Sequence, residues 1–200
     1  MLITSLFALA VAMPTVAAEP PKIGEIAPEF SLVDTNGKSH NISDFRGKIV
    51  VLEWTNDGCP YVMKHYGTGN MQKAQKTATD QGVVWLSIVS SAKGKQGYVE
   101  GPQGNALMKE KGFKSTALLL DSDGKVGKLY QAKTTPHMFV LDASGKVAYM
   151  GAIDDKATPF PESVKGARNY VLEAITALKA GKTPAIAATQ PYGCSVKYGK

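Results

Sequence analysis

The residues best able to do chemistry in this chain are two cysteines, Cys59 and Cys194, and two X-Pro pairs, Cys59-Pro60 and Thr135-Pro136. The apolar run Ile49-Val50-Val51-Leu52-Glu53-Trp54 reads as a buried strand, Thr55-Asn56-Asp57-Gly58 as a turn, and Pro60 suits the first turn of a helix. Cys59 then sits at the N-cap. Unpaired backbone N–H groups at that position favour an anion, and thiols there fall from a pKa of about 8.5 to roughly 3.5–7.5. Asp57 opposes this shift and Lys64, one turn on, offsets Asp57. The competing reading of Cys59 is a small buried hydrophobe.

The elements that must position these groups alternate. An Asn36-Gly37 turn within residues 30–45 marks a hairpin, and the strand before Cys59 follows it. Residues 60–79 read as a helix interrupted at Gly67 and Gly69, and residues 83–89 as an apolar strand. Residues 90–104 read as a loop, 105–111 as a short helix stopped by Gly112, and Leu118-Leu119-Leu120 as a third buried strand before the turn Asp121-Ser122-Asp123-Gly124. A short helix within 126–132 precedes a second hairpin whose arms begin at Met138 and Val147. A helix over 162–180 carries Val164, Ala167, Val171, Ile175 and Leu178 on one face. The expected class is α/β, a central mixed sheet flanked by helices.

Residues 1–18 read as a secretory signal peptide, apolar from Leu2 to Met13 and ending in Val16-Ala17-Ala18. Residues 19–182 form one domain, and 183–200 a tail carrying Cys194. The expected location is the periplasm or outside the cell, an oxidising compartment in which the cysteines can pair with each other, pair with another chain or stay reduced. No segment is long enough for stable membrane insertion. The 23 Lys+Arg against 17 Asp+Glu are dispersed, so the net charge of +6 reads as a solvated basic surface, with no nucleic-acid partner.

Three stretches carry a family likeness: Ala27-Pro28-Glu29-Phe30-Ser31-Leu32 with Asp44-Phe45-Arg46-Gly47-Lys48; Val51-Leu52-Glu53-Trp54 through Cys59-Pro60; and Thr135-Pro136-His137-Met138-Phe139-Val140-Leu141-Asp142. In this order and spacing the chain resembles, over about residues 23–180, the thioredoxin-fold redoxins, the group that includes alkyl hydroperoxide reductase and thiol-specific antioxidant proteins. The resemblance implies a thioredoxin-like fold with an N-terminal β-hairpin and a cis-proline at Pro136 facing Cys59. It also implies a Thr135 backbone open to an extended substrate segment. No cofactor or resident metal is expected.

Departures from the family pattern narrow the chemistry. Val62 stands where a thioredoxin-type reductase has its second cysteine, so an intrahelical disulfide is excluded. Asn56 and Pro136 stand where a peroxiredoxin has a Thr or Ser and an Arg, which removes groups that orient peroxide. The expected activity is thiol-disulfide exchange through Cys59, on a disulfide-containing protein or a small oxidant, with an external thiol as reductant. A thiol-dependent peroxidase is the alternative. Cys194 is the candidate resolving thiol, brought in by a flexible tail, with a plain surface thiol or an interchain bridge as competing readings. A copper-binding module built from Cys59, Met63 and His137 is a further alternative, against which Met63 reads as core. His137 reads either as a base near the thiol or as a structural histidine. Asp154-Asp155 and Asp121-Ser122-Asp123-Gly124 read as turns.

Overall fold

The structure is a computed structural model that describes residues 19–200; the proposed leader, 1–18, lies outside the described residues. Its main sheet has seven strands. β1 (Ser31–Asp34) and β2 (Ser39–Asn41) form the hairpin turned at Asn36-Gly37, followed by β3 (Val50–Trp54), β4 (Val84–Val89), β5 (Ala117–Leu120), β7 (His137–Leu141) and β8 (Val147–Gly151). A two-residue strand, β6 (Thr134–Thr135), precedes β7 and belongs to a separate ladder. The spatial order is β2-β1-β5-β4-β3-β7-β8. The β3–β4 and β4–β5 pairs are parallel, and the β1–β2, β1–β5, β3–β7 and β7–β8 pairs antiparallel. β3 lies between β4 and β7 with all five residues buried, which is why it reads as a continuous apolar run.

Two cores cover the two faces. On one, α1 (Pro60–Gly67), α2 (Asn70–Thr79) and α5 (Tyr170–Lys179) bury Val62, Met71, Ala74, Val171 and Ile175 against Val51, Trp85, Met138 and Val140. On the other, α4 (Lys125–Leu129) and the chain before β1 bury Val126, Phe30 and Ala27 against Trp54, Leu52, Leu86 and Phe139. Each fully buried aliphatic or aromatic side chain of this kind contributes about 1.5–3 kcal/mol. The period-two alternation of β7 sends Met138 and Val140 to the first core, and Phe139 and Leu141 to the second.

Three boundaries differ from the sequence expectation. Helix α3 (Gly101–Lys111) starts earlier than residue 105, because Glu100 and Gln103 close a capping box and Pro102 suits a first turn. The stretch 162–180 is divided into a 3-10 turn at Pro161–Val164 and α5, which begins only where the Asn169 side chain accepts the Leu172 amide at 2.9 Å. Gly166 at φ +71° lies between them, so Val164 and Ala167 are not on the α5 stripe. The tail is ordered and docked: the Ala187 carbonyl accepts the Met150 amide at 3.0 Å, and the Thr189 amide donates to Met150 at 3.1 Å. It ends in a strand of its own, β9 (Cys194–Ser195).

Candidate functional site

Cys59 caps α1 with extended backbone, φ −83° and ψ 122°, and Pro60 is the first helical residue. Its side chain is fully buried, and in the thiol form it donates to the Thr135 carbonyl at 3.0 Å. The Thr135-Pro136 bond is cis, as the resemblance implies. The expectation that the Thr135 backbone is open to a substrate strand is corrected by the structure. β9 lies on β6 in antiparallel register, Thr135 opposite Cys194 and Thr134 opposite Ser195, so the chain's own tail holds that edge.

Sequence reasoning brought Cys59, Thr135, Pro136 and Cys194 together as candidates, and the structure places Cys59, Cys194 and Thr135 in one contact. Neither cysteine is in a disulfide. Burial pushes the Cys59 thiol up, but the polar groups of Cys194 and Thr135 and the Val62 amide around it outweigh burial, and the net shift is downward. Among the described residues the buried Thr135 hydroxyl has no hydrogen-bond partner. Burial, then the hydrogen bond and charge of Cys59, push Cys194 up to about 11, against a smaller opposing effect of Lys197. The two sulfurs are thus unlike, a thiolate-prone Cys59 beside a proton-holding Cys194.

Gly193 makes this approach geometrically feasible. At φ +137° it occupies backbone space that side chains rarely enter, and a Cβ there would stand 2.0 Å from the Thr135 carbonyl oxygen. On the far side, the Val196 amide donates to Lys133 at 3.2 Å, the Ala92 amide to Lys197 at 2.9 Å, and the Tyr198 hydroxyl to Ala132 at 2.8 Å.

Several expected roles are redistributed. Lys64 does not face the thiol. It is buried, and its ammonium donates to the Lys156 carbonyl at 2.7 Å and to the Tyr192 hydroxyl at 3.4 Å. Burial lowers its pKa, with Asp154 acting in the other direction. Met63 is 56% exposed rather than core. His137 follows Pro136 but projects with Phe139, ring centroids 4.7 Å apart, toward the second core, while Cys59 packs in the first. Its Nδ1 accepts the Lys133 amide at 3.3 Å, and burial, then Lys133, push it down to about 4. The structure therefore separates the Cys59, Met63 and His137 trio, and takes His137 away from the thiol as a base. Asn56 is committed to its turn, accepting the Gly58 amide at 2.9 Å and donating to Gln96 at 3.1 Å.

Asp154 is likewise not in a solvated turn. It is buried and accepts a short hydrogen bond from the Tyr192 hydroxyl, which His65 Nε2 approaches at 3.1 Å. His65 Nδ1 faces Asn70 at 2.7 Å, so the network assigns its proton to Nε2. Burial, then Lys64, push His65 down to about 3. Sequence reasoning missed this cluster. Its one signal was Tyr192 two residues before Cys194, in a tail whose docking no periodicity announces.

Comparisons with known proteins give the chain's relatives. Thiol-disulfide oxidoreductase ResA of Bacillus subtilis (strain 168) is 32% identical over 131 residues, covering 62% of this chain and 64% of that protein. The chain spans less than two thirds of the length of the oxidoreductases of this name that it matches. Peroxiredoxin Bcp of Escherichia coli (strain K12) is 28% identical over 147 residues, 66% of this chain and 85% of that protein. The crystal structure of an uncharacterized conserved protein from Geobacillus kaustophilus superposes with a TM-score of 0.75 at 23% identity, over 94% of this chain and 98% of that one, a likeness of fold. The AhpC/TSA family model matches residues 23–150, a span that holds Cys59 and the cis Thr135-Pro136 bond, and the chain belongs to the AhpC/TSA family.

Proposed function

We propose that the protein is a thiol-disulfide oxidoreductase in which Cys59 is the nucleophile and Cys194, carried on the docked tail, is the resolving thiol. The observation that carries this reading is Cys194 held directly opposite Thr135 on the cis-proline edge, where the Thr135 carbonyl accepts from Cys59. In the first step the Cys59 thiolate attacks a substrate disulfide R–S–S–R, forming a Cys59–S–S–R bond and releasing R–S⁻, which takes a proton from solvent. In the second, Cys194 loses its proton and attacks the Cys59 sulfur, forming the Cys59–Cys194 disulfide and releasing the second R–S⁻. Two electrons pass from the dithiol to the substrate. An external thiol then restores the dithiol.

The pair's asymmetry orders these steps. Burial, then the hydrogen bond and charge of Cys59, keep the proton on Cys194 while Cys59 is anionic. Once Cys59 is in a mixed disulfide its share of that effect is gone, and Cys194 gives up its proton more readily when it is needed. Thr135 and Pro136 shape the edge on which the sulfurs meet.

The substrate class is a disulfide-containing protein or small disulfide met outside the cytoplasm, consistent with the export leader read at residues 1–18. Among the described residues no helix is long and apolar enough to cross a membrane.

The test is turnover of oxidised glutathione with dithiothreitol as donor, followed in the full chain and in Cys59→Ser and Cys194→Ser. Cys59→Ser is expected to abolish turnover. Cys194→Ser is expected to keep a fast first step and accumulate the glutathione mixed disulfide, with steady-state turnover down at least tenfold. Unchanged turnover in Cys194→Ser removes the resolving role, and turnover in Cys59→Ser removes the whole reading.

A further inference from the structure

Resting on that reading, we infer that Tyr192 is a positioning residue that fixes the tail on α1, and so sets both how often Cys59 is uncovered and how quickly Cys194 resolves it. Cys59 is fully buried beneath the tail, so no substrate disulfide reaches it until the tail leaves. Resolution needs the reverse, the tail returned with Cys194 in register. One equilibrium governs both steps, and the side chain that holds the tail down pulls them in opposite directions.

The cradle for Tyr192 is built, and it is built on the helix that Cys59 caps. Tyr61, Lys64 and His65, spaced along one face of α1, surround the ring: Tyr61 at 5.8 Å and His65 at 6.5 Å between centroids, and the Lys64 ammonium 5.0 Å from the Tyr192 centroid. The hydroxyl donates to Asp154 and is approached by Lys64 and His65. Lys64, His65 and Asp154 are each at least 98% buried. With one end of α1 holding Cys59 and its side holding Tyr192, two residues before Cys194, the distance between the sulfurs is set through a rigid helix rather than a loop.

The Asp154–Tyr192 contact also has a loose end. Among the described residues Asp154 Oδ2 is buried with no hydrogen-bond partner, His65 Nε2 standing 4.0 Å away, so the carboxylate is incompletely satisfied even with the tail seated. A charged group in that condition gains from water when the tail lifts, which lowers the cost of opening. The seat is thus strong enough to hold register and incomplete enough to release.

Tyr192→Phe keeps the ring and removes the hydroxyl. In a Cys194→Ser background, iodoacetamide alkylation of Cys59 is expected to speed up about tenfold, the size of one charge-assisted hydrogen bond. In the chain with Cys194 present, loss of the Cys59–glutathione mixed disulfide to the internal disulfide is expected to slow by a similar factor, so that the mixed disulfide accumulates. Tyr61→Leu, which leaves the tail sequence intact, is expected to move both rates in the same opposed directions by a few fold and guards against misfolding of the first variant. A side chain that merely stabilised the fold would not speed one step and slow the other. Rates that stay put, or that rise or fall together, in both variants overturn the inference. If the parent chain forms no internal disulfide with oxidised glutathione, the functional reading fails, and the alkylation arm alone then decides the seat: acceleration in Tyr192→Phe supports it and an unchanged rate overturns it.

Discussion

Two buried acids, Glu53 and Asp154, sit at the centres of polar clusters that border α1, and they are built to different ends. Glu53, on β3, accepts hydrogen bonds from Tyr66 of α1, Gln75 of α2, and Trp85 and Ser87 of β4, at 2.8 to 3.0 Å. Every donor comes from the core, and both carboxylate oxygens are satisfied. Asp154 Oδ1 accepts the Lys156 amide at 3.0 Å, and its one side-chain donor is Tyr192 from the tail, while among the described residues its other oxygen has no hydrogen-bond partner. A closed cluster of core donors has no low-energy way to open, whereas one completed by a terminal segment opens whenever that segment leaves. The first therefore fixes the sheet under the site, and the second is suited to a moving part.

The comparison breaks most visibly if Glu53 is removed. Glu53→Ala strands four buried donors and is expected to lower the unfolding free energy by about 3 kcal/mol or more, read by urea denaturation; a loss below 1 kcal/mol would show the cluster is not closed. Tyr192→Phe should cost about 1.4 kcal/mol on the same axis, the equivalent of its tenfold effect on opening.

Acid tests the same contrast. His65 in the tail cluster and His137 under the opposite face have folded pKa values depressed to about 3 and about 4 by burial. A depressed histidine is neutral in the fold, so the unfolded chain takes protons first. The stability it contributes is full above its unfolded pKa of about 6.5 and declines as pH falls toward the folded value. At pH 5 each is expected to cost about 2 kcal/mol relative to pH 7.5, seen as a falling melting temperature. His65→Gln should flatten that dependence by about half, and an unaltered slope contradicts the assignment.

Gly193→Ala couples a modest loss of global stability to the sharpest local change. Its Cβ meets the Thr135 carbonyl, so the tail cannot seat. The expected result is about 1–2 kcal/mol of stability and at least tenfold faster alkylation of Cys59. Slow alkylation in this variant would show that something other than β9 covers the thiol.

Much of the fold was legible because its signals are local. The apolar run into Cys59-Pro60 and the Asn36-Gly37 turn each dictate an element from adjacent residues, and the order of strands and helices then leaves few topologies. The Cys59 end of the site was readable for the same reason. Cys194 was visible only as a thiol without an address, and Tyr192, Lys64, His65 and Asp154 were not visible as a group. Asp154 and Lys64 look like surface residues by composition, and only a docked tail, specified by long-range contacts such as Thr189 against Tyr149 and Ala152, buries them. The α5 boundary was misplaced because Gly166 and the Asn169 cap override a helical apolar spacing.

The central claim is that Cys59 and Cys194 of one chain are a redox pair, and peptide mapping by mass spectrometry after one equivalent of oxidised glutathione tests it most directly. The account predicts a single crosslinked species joining the Cys59 and Cys194 peptides within a monomer, reversed by dithiothreitol. Cys194 recovered as the thiol while Cys59 carries glutathione, or crosslinks found only between chains, would contradict it.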